Sequence, residues 1–169
     1  DDDDELMRCL LEDESPSGEL IRRAIRTGTV SSDFVPVLSG SALRNKGVQP
    51  LLDAIVDFLP SPAELPPIIG IHPRTGQEIE RRASPDVPMS ALAFKISADP
   101  YVERLTYLRI YSGILKLGGT YLNPRIKKKE RVQKIFRMHA NKREELQRTN
   151  AGDVVAVAGL RTIATGDTL

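Results

Sequence analysis

Cysteine occurs once in the chain, at Cys9, and tryptophan not at all. A lone cysteine excludes an internal disulfide. Its neighbours Leu6, Met7, Leu10 and Leu11 make a buried helix position the expected setting, and such cysteine use suits a cytosolic, that is cytoplasmic, protein. The two histidines, His72 and His139, stand far apart with no ligand spacing around either, which points to polar surface roles and to no metal. No apolar run approaches the length of a membrane span. No secretory signal is visible, but the chain opens at Asp1 without an initiator Met and stops at Leu169 inside a strand-like pattern. Both ends read as cuts, so a missing targeting signal carries little weight. Charge of one sign is lacking too: Lys and Arg total 24 against 23 Asp and Glu, so total charge points to no partner. No Ser-His-Asp arrangement or catalytic carboxylate pair can be argued, and no GxxxxGK[ST] phosphate loop occurs.

What the chain does contain is organised around residues 34–62. Phe34, Val35, Val37 and Leu38 form an apolar run of strand length, and Pro36 within it suits an edge strand. Ser39-Gly40-Ser41-Ala42-Leu43 follows as a loop of mostly small residues, where backbone N–H groups can come close to a ligand. Gly47 closes the loop, and Pro50 suits a first helical turn. Val48, Leu51, Leu52, Ile55, Val56 and Leu59 then fall at steps of three and four, the spacing of one buried helical face. Before this unit, the acidic run Asp1–Asp4 starts a first helix that extends into Glu5–Glu14. Ser17 is placed to cap a second helix that buries Leu20, Ile21, Ala24 and Ile25, exposes Arg22, Arg23 and Arg26, and stops at Gly28.

Five prolines between Pro60 and Pro73 make a stiff connector, and Arg74–Gln77 reads as a turn between two extended pieces. After Pro88 the helical period disappears. Residues 90–96, 104–111, 121–122, 132–138 and 154–158 read as short strands separated by glycine turns, the pattern of a small antiparallel barrel. In 104–111, Leu105, Tyr107, Arg109 and Tyr111 share one face. Nine basic residues and one acid, Glu130, lie between Arg125 and Arg143. Such a cluster reads as a solvated loop and exposed face or as a set of contacts to RNA phosphates, and for the latter Lys127, Lys128, Lys129 and Arg131 are the candidates.

The wording of the chain resembles elongation factor G over nearly its whole length, in one register. In the first part the matching words are Gly40-Ser41-Ala42-Leu43, Asn45-Lys46-Gly47-Val48-Gln49 and Leu59-Pro60-Ser61-Pro62. In the second part they include Ala91–Ile96, Asp99-Pro100-Tyr101-Val102, Arg104-Leu105-Thr106, Lys128–Arg131, Met138-His139-Ala140-Asn141 and Thr165–Leu169. Glu103 departs from the pattern, standing where the family has glycine, and a positive φ there is in question.

The resemblance implies an α/β segment ending a P-loop GTPase domain, followed by an all-β antiparallel barrel of the translation-factor second-domain type. Residues 1–62 would be the end of the GTP-binding domain, 63–88 a linker and 89–169 the barrel. Ser41, Ala42 and Leu43 would border the guanine. Asn45-Lys46 is not the NKxD specificity motif, because Val48 takes the aspartate's place. The parent would bind GTP or GDP with Mg2+ and hydrolyse GTP. This piece, without phosphate loop, switch segments or catalytic residues, would be inactive alone and hold no cofactor. The ribosome and its small-subunit RNA would be the partners of a monomeric protein. The rival readings are another ribosomal GTPase (a tetracycline-resistance protection protein or a release-factor recycler) and a stand-alone RNA-binding barrel.

Overall fold

The computed structural model describes residues 2–99, 103–139 and 142–169, and its chain divides into two compact units, Asp1–Pro60 and Ser61–Leu169. The first holds three helices: α1 (Asp2–Leu11), α2 (Gly18–Val30) and α3 (Val48–Phe58). Ser17 caps α2 as its spacing predicts, its Oγ accepting from the Leu20 N–H at 3.1 Å. That satisfies one of the donors a helix leaves open at its start. Leu20, Ala24 and Gly28 are the buried side of α2, and Cys9 is buried in α1.

Five expectations for this unit are corrected. Ile21, expected on the buried side of α2, is 40% exposed. Gly28 does not end α2; it lets Phe34 close on the helix, where an added Cβ would lie 2.2 Å from the ring. Arg26 is not merely exposed: its guanidinium donates to the carbonyls of Asp57 at 2.7 Å and Leu59 at 3.3 Å, capping the end of α3. Phe34–Leu38 forms no strand, because a strand exists only by pairing and none of the described residues of this unit offers it a ladder. The apolar face of α3 is also not buried. Ala54 is the one buried residue of α3, while Leu52 is 57% exposed and Val56 76%. Periodicity shows which side chains share a face; it does not show what covers them.

The second unit is all β. A hairpin of β1 (Ile68–Ile71) and β2 (Glu78–Arg81) turns at Arg74–Gln77, where the backbone N–H groups of Arg74 and Thr75 donate to His72 Nδ1. The barrel follows, with β3 (Ser90–Asp99), β4 (Glu103–Ser112), β5 (Ile114–Lys116), β6 (Thr120–Asn123), β7 (Lys128–Arg131), β8 (Lys134–His139), β9 (Lys142–Leu146), β10 (Arg148–Asn150) and β11 (Val154–Ala158). The main sheet runs β3-β4-β11-β8-β9, and β5 with β10 and β6 with β7 form two further pairs; every pairing is antiparallel. Gly113, at φ 68°, turns the chain from β4 into β5; a Cβ there would come within 2.5 Å of the Val87 carbonyl. The single strand expected over 132–138 is broken: Val132 and Gln133 lie between β7 and β8, with Val132 fully buried in the core.

Alternation explains the core. Leu108 and Ile110 on β4 point inward with Ala91 and Ala93, against Ile135, Val155 and Val157. The opposite face of the sheet carries a smaller cluster of Leu105, Phe136, Ala156 and Ala158, with Tyr107 and Met138 packed on it. Glu103 opens β4 opposite Asp99, so its place is in a paired strand. Pro100, Tyr101 and Val102 beside it lie outside the described residues, as do Ala140, Asn141 and Asp1.

The segment after β11 closes the barrel on β3. Ala91 and Leu169 exchange backbone hydrogen bonds at 3.0 and 2.9 Å, and the Ala93 N–H donates to the Asp167 carbonyl at 2.8 Å. Two buried carboxylates hold this segment to the β6–β7 hairpin. Asp167 accepts from Asn123 Nδ2 at 2.8 Å, from the Ala164 N–H at 2.8 Å, and from Arg125 through both Nε and Nη2. Glu130 accepts from the N–H groups of Arg161 at 3.1 Å and Thr162 at 2.8 Å, and from the Thr162 hydroxyl. The bond from Arg125, against the cost of burial and with help from Ala164 and Asn123, holds the Asp167 carboxyl well below the usual carboxylate range.

A depressed folded-state pKa gives stability that is present above the unfolded value, near pH 4, and lost as pH falls towards the folded value. Asp167→Asn is therefore expected to cost about 1–3 kcal/mol at pH 7, the scale of a buried charged hydrogen bond. Its gap from wild type should narrow between pH 5 and pH 2 in urea titrations, whereas a gap that does not change with pH contradicts the clamp. The burial pattern gives a second expectation. Leu108→Ala, in the barrel core, should cost about 2–5 kcal/mol, and Leu52→Ala on the open face of α3 less than about 1 kcal/mol, both read from denaturation midpoints.

Candidate functional site

Two regions carry the residues that the sequence singles out. The first is the loop before α3. Ser41 and Lys46 close it with a pair of backbone bonds, Ser41 N–H to Lys46 O at 2.9 Å and Lys46 N–H to Ser41 O at 3.0 Å. Between them Ala42–Arg44 makes one 3-10 turn, and Asn45, at φ 51°, ends it. Gly40 allows the two sides to meet: a Cβ there would sit 2.9 Å from the Lys46 carbonyl. The bonds that close the loop use the N–H groups of Ser41, Arg44, Asn45 and Lys46, and leave those of Ala42 and Leu43 outside the ring. Ala42 and Leu43 are exposed at its rim. The hollow beneath holds about 210 Å³ and is lined by Leu38, Gly40, Ser41, Ala42, Lys46 and Val48 among others. Ligand pockets run from about 300 Å³ upward, so this hollow by itself is smaller than a usual ligand pocket.

The second region is the β6–β7 hairpin. Its register sets Thr120 against Arg131, Tyr121 against Glu130, Leu122 against Lys129 and Asn123 against Lys128. Alternation then gives the hairpin two chemistries. Asn123 and Glu130 are buried on the side that grips the closing segment, while Lys129 and Arg131 stand on the other side in solvent. Lys127 occupies the turn at φ 54°, and Lys128 is exposed at the end of the strand.

The structure sorts the basic cluster that the sequence presents as one block. Arg125 is engaged by Asp167, and its own pKa is raised, chiefly by that hydrogen bond. Lys134 pairs with Glu145 at 3.5 Å across β8 and β9. Arg137 pairs with Glu144 at 3.6 Å, and His139 lies 3.7 Å from the same carboxylate, so this histidine has a polar surface position as its sequence suggests. Lys127, Lys128, Lys129 and Arg131 have no ion-pair partner among the described residues. The four sequence candidates are thus brought together on one hairpin, and most of their neighbours in the block are neutralised. A count stopping at Arg143 misses Glu144 and Glu145. It also treats Glu130 as a diluting charge, when Glu130 is a buried anchor. The available signal was its alternation with Lys129 and Arg131.

Four unpaired cations on a rigid two-stranded edge suit contacts to phosphates, which position a nucleic acid without reading its sequence. No helix of the described residues is long and apolar enough to cross a membrane.

Comparison with known proteins places this geometry. The family model described as elongation factor G domain 2 matches residues 88–169. A crystal structure of a protein from Thermus thermophilus is similar to 96% of the chain, with a TM-score of 0.68 and 28% sequence identity. This chain spans 22% of the length of that one. The barrel, its closing segment and its basic hairpin all lie within the range that is similar to elongation factor G domain 2.

Proposed function

We propose that the chain is part of elongation factor G, the ribosomal translocase that uses GTP binding and hydrolysis to move tRNA and mRNA during protein synthesis. The match of residues 88–169 to that factor's second domain carries the reading. Under it, residues 1–62 form the end of the GTP-binding domain. The exposed apolar residues of α3 and of Phe34–Leu38 are then the side that the rest of that domain covers. This also explains why an apolar run with strand character lacks a ladder here.

In the full protein, Ser41, Ala42 and Leu43 border the base. The Ala42 N–H donates to guanine O6, where adenine would present an amine and set donor against donor. GTP supplies the phosphoanhydride whose hydrolysis drives movement. The chain carries no GxxxxGK[ST] motif to hold its phosphates, and the phosphates with Mg2+ bring most of the binding energy. The β6–β7 hairpin is the part that meets small-subunit ribosomal RNA, through Lys127, Lys128, Lys129 and Arg131. The reading favours elongation factor G over the other ribosomal GTPases on the Asn45-Lys46-Gly47 loop and the Met138–Asn141 wording.

Isothermal titration of this chain with GDP should show no binding in the micromolar range and no GTP turnover; a micromolar dissociation constant would contradict the division of labour. For the hairpin, the test is ribosome association of the full-length factor at several salt concentrations. Replacing Lys127, Lys128 and Lys129 with alanine should weaken association and flatten its salt dependence. The log–log slope should drop by up to about 0.9 per lost phosphate contact. Stability should barely change, since exposed charges contribute little. Superimposable salt curves would make the lysines an ordinary solvated edge.

A further inference from the structure

The outer face of the main sheet carries a strip that the reading above leaves unused. Tyr107, Arg109 and Tyr111 follow one another on the same side of β4, and Lys95 stands opposite Tyr107 on β3. The β3 register slips between Ala93 and Lys95, a bulge that brings Phe94 onto this side: its ring centroid is 6.2 Å from that of Tyr107, tilted by 56°. Phe94, on the edge strand of the main sheet, is 42% exposed.

The cations of the strip lie over rings, without a carboxylate partner among the described residues. Lys95 Nζ is 5.4 Å from the Tyr107 centroid, and the Arg109 guanidinium is 5.4 Å from that of Tyr111. Residues 92–97 of β3 and 105–111 of β4 contain no aspartate or glutamate; the acids of these two strands, Asp99 and Glu103, stand opposite each other at their far ends. At the Tyr111 end, Arg109 and Arg81 line a hollow of about 210 Å³, walled by Pro62, Leu65 and Pro66. The two tyrosines are about 14 Å apart along the strand at ~3.4 Å per residue.

An apolar protein partner would be served by Phe94 alone. Rings alternating with uncompensated cations suit a chain whose flat groups stack while its anionic links lie beside the cations. We infer that this strip is a binding platform for unpaired, single-stranded RNA, with bases stacked on Phe94 and Tyr107 and phosphates at Lys95 and Arg109. It deepens the reading that this domain meets RNA, but it uses a different face and a different element of the RNA from the hairpin lysines.

The test is fluorescence anisotropy of the 169-residue chain with labelled hexaadenylate, an abasic strand of the same length and a short RNA duplex. Hexaadenylate should bind more tightly than either of the others. Phe94→Ala should weaken it by about fivefold or more, the range of one lost stacking contact. Lys95→Gln should lower the log–log salt slope by about 0.7. Lys128→Ala/Lys129→Ala should leave hexaadenylate binding largely intact. Thermal melts confirm that each variant is folded, and the abasic strand tests stacking on the unaltered protein. If the abasic strand binds as well as hexaadenylate, or if no RNA binds, the platform is overturned. If only the hairpin variant weakens binding, the platform is likewise overturned and the hairpin reading survives; loss through Phe94→Ala alone would support the platform while the hairpin reading stands or falls separately on the ribosome.

Discussion

The second unit depends on how its last residues are fastened. Backbone bonds between Ala91 and Leu169 and between Ala93 and Asp167 lay the closing segment along β3. The Asp167 and Glu130 carboxylates tie the same segment to the β6–β7 hairpin. A buried carboxylate without donors would be costly; with a guanidinium, an amide and backbone N–H groups around it, Asp167 becomes a fixed point. Arg104 completes the hold from β4, its guanidinium donating to the carbonyls of Arg161 and Ile163. The segment has little regular structure of its own, so side chains do what a sheet ladder does elsewhere in the barrel.

The same fastening has a functional consequence. Because Asn123, Arg125 and Glu130 face the closing segment, the alternate positions of the hairpin are left to Lys129 and Arg131, with Lys127 and Lys128 at its turn. Acids on β9 neutralise the cations of β8, and none of the described residues pairs with Lys127, Lys128, Lys129 or Arg131. One basic block in the sequence therefore becomes a structural anchor, a balanced strand pair and a free cationic edge.

Much of the barrel was legible from period and punctuation. Alternation in 104–111 predicted both faces of β4, and Gly113 and Gly152 mark turns where positive φ is required. The Ser17 cap was legible because its chemistry is local. What escaped were properties that depend on partners distant in sequence: the 42 residues from Arg125 to Asp167, the reach of Arg26 to α3, and the approach of Phe34 to Gly28. The Phe34–Leu38 run and the α3 face illustrate the opposite failure. Their patterns were read correctly as apolar, yet a strand needs a ladder and a face needs a cover, and neither is a property of the segment itself. At the loop, small residues and Gly47 announced a close approach of backbone. The closed Ser41–Lys46 ring, whose bonds do not use the N–H groups of Ala42 and Leu43, required coordinates.

The central claim is that this hairpin, and not the neutralised strands beside it, is the basic surface that meets small-subunit ribosomal RNA. Site-specific photocrosslinking within the full-length factor on the ribosome addresses it directly, with the reactive side chain placed in turn at Lys128, Lys129, Lys134 and Arg137. The account predicts crosslinks to small-subunit RNA from positions 128 and 129, and little from 134 and 137. Crosslinks confined to 134 and 137, or none to RNA from any of the four, would contradict it.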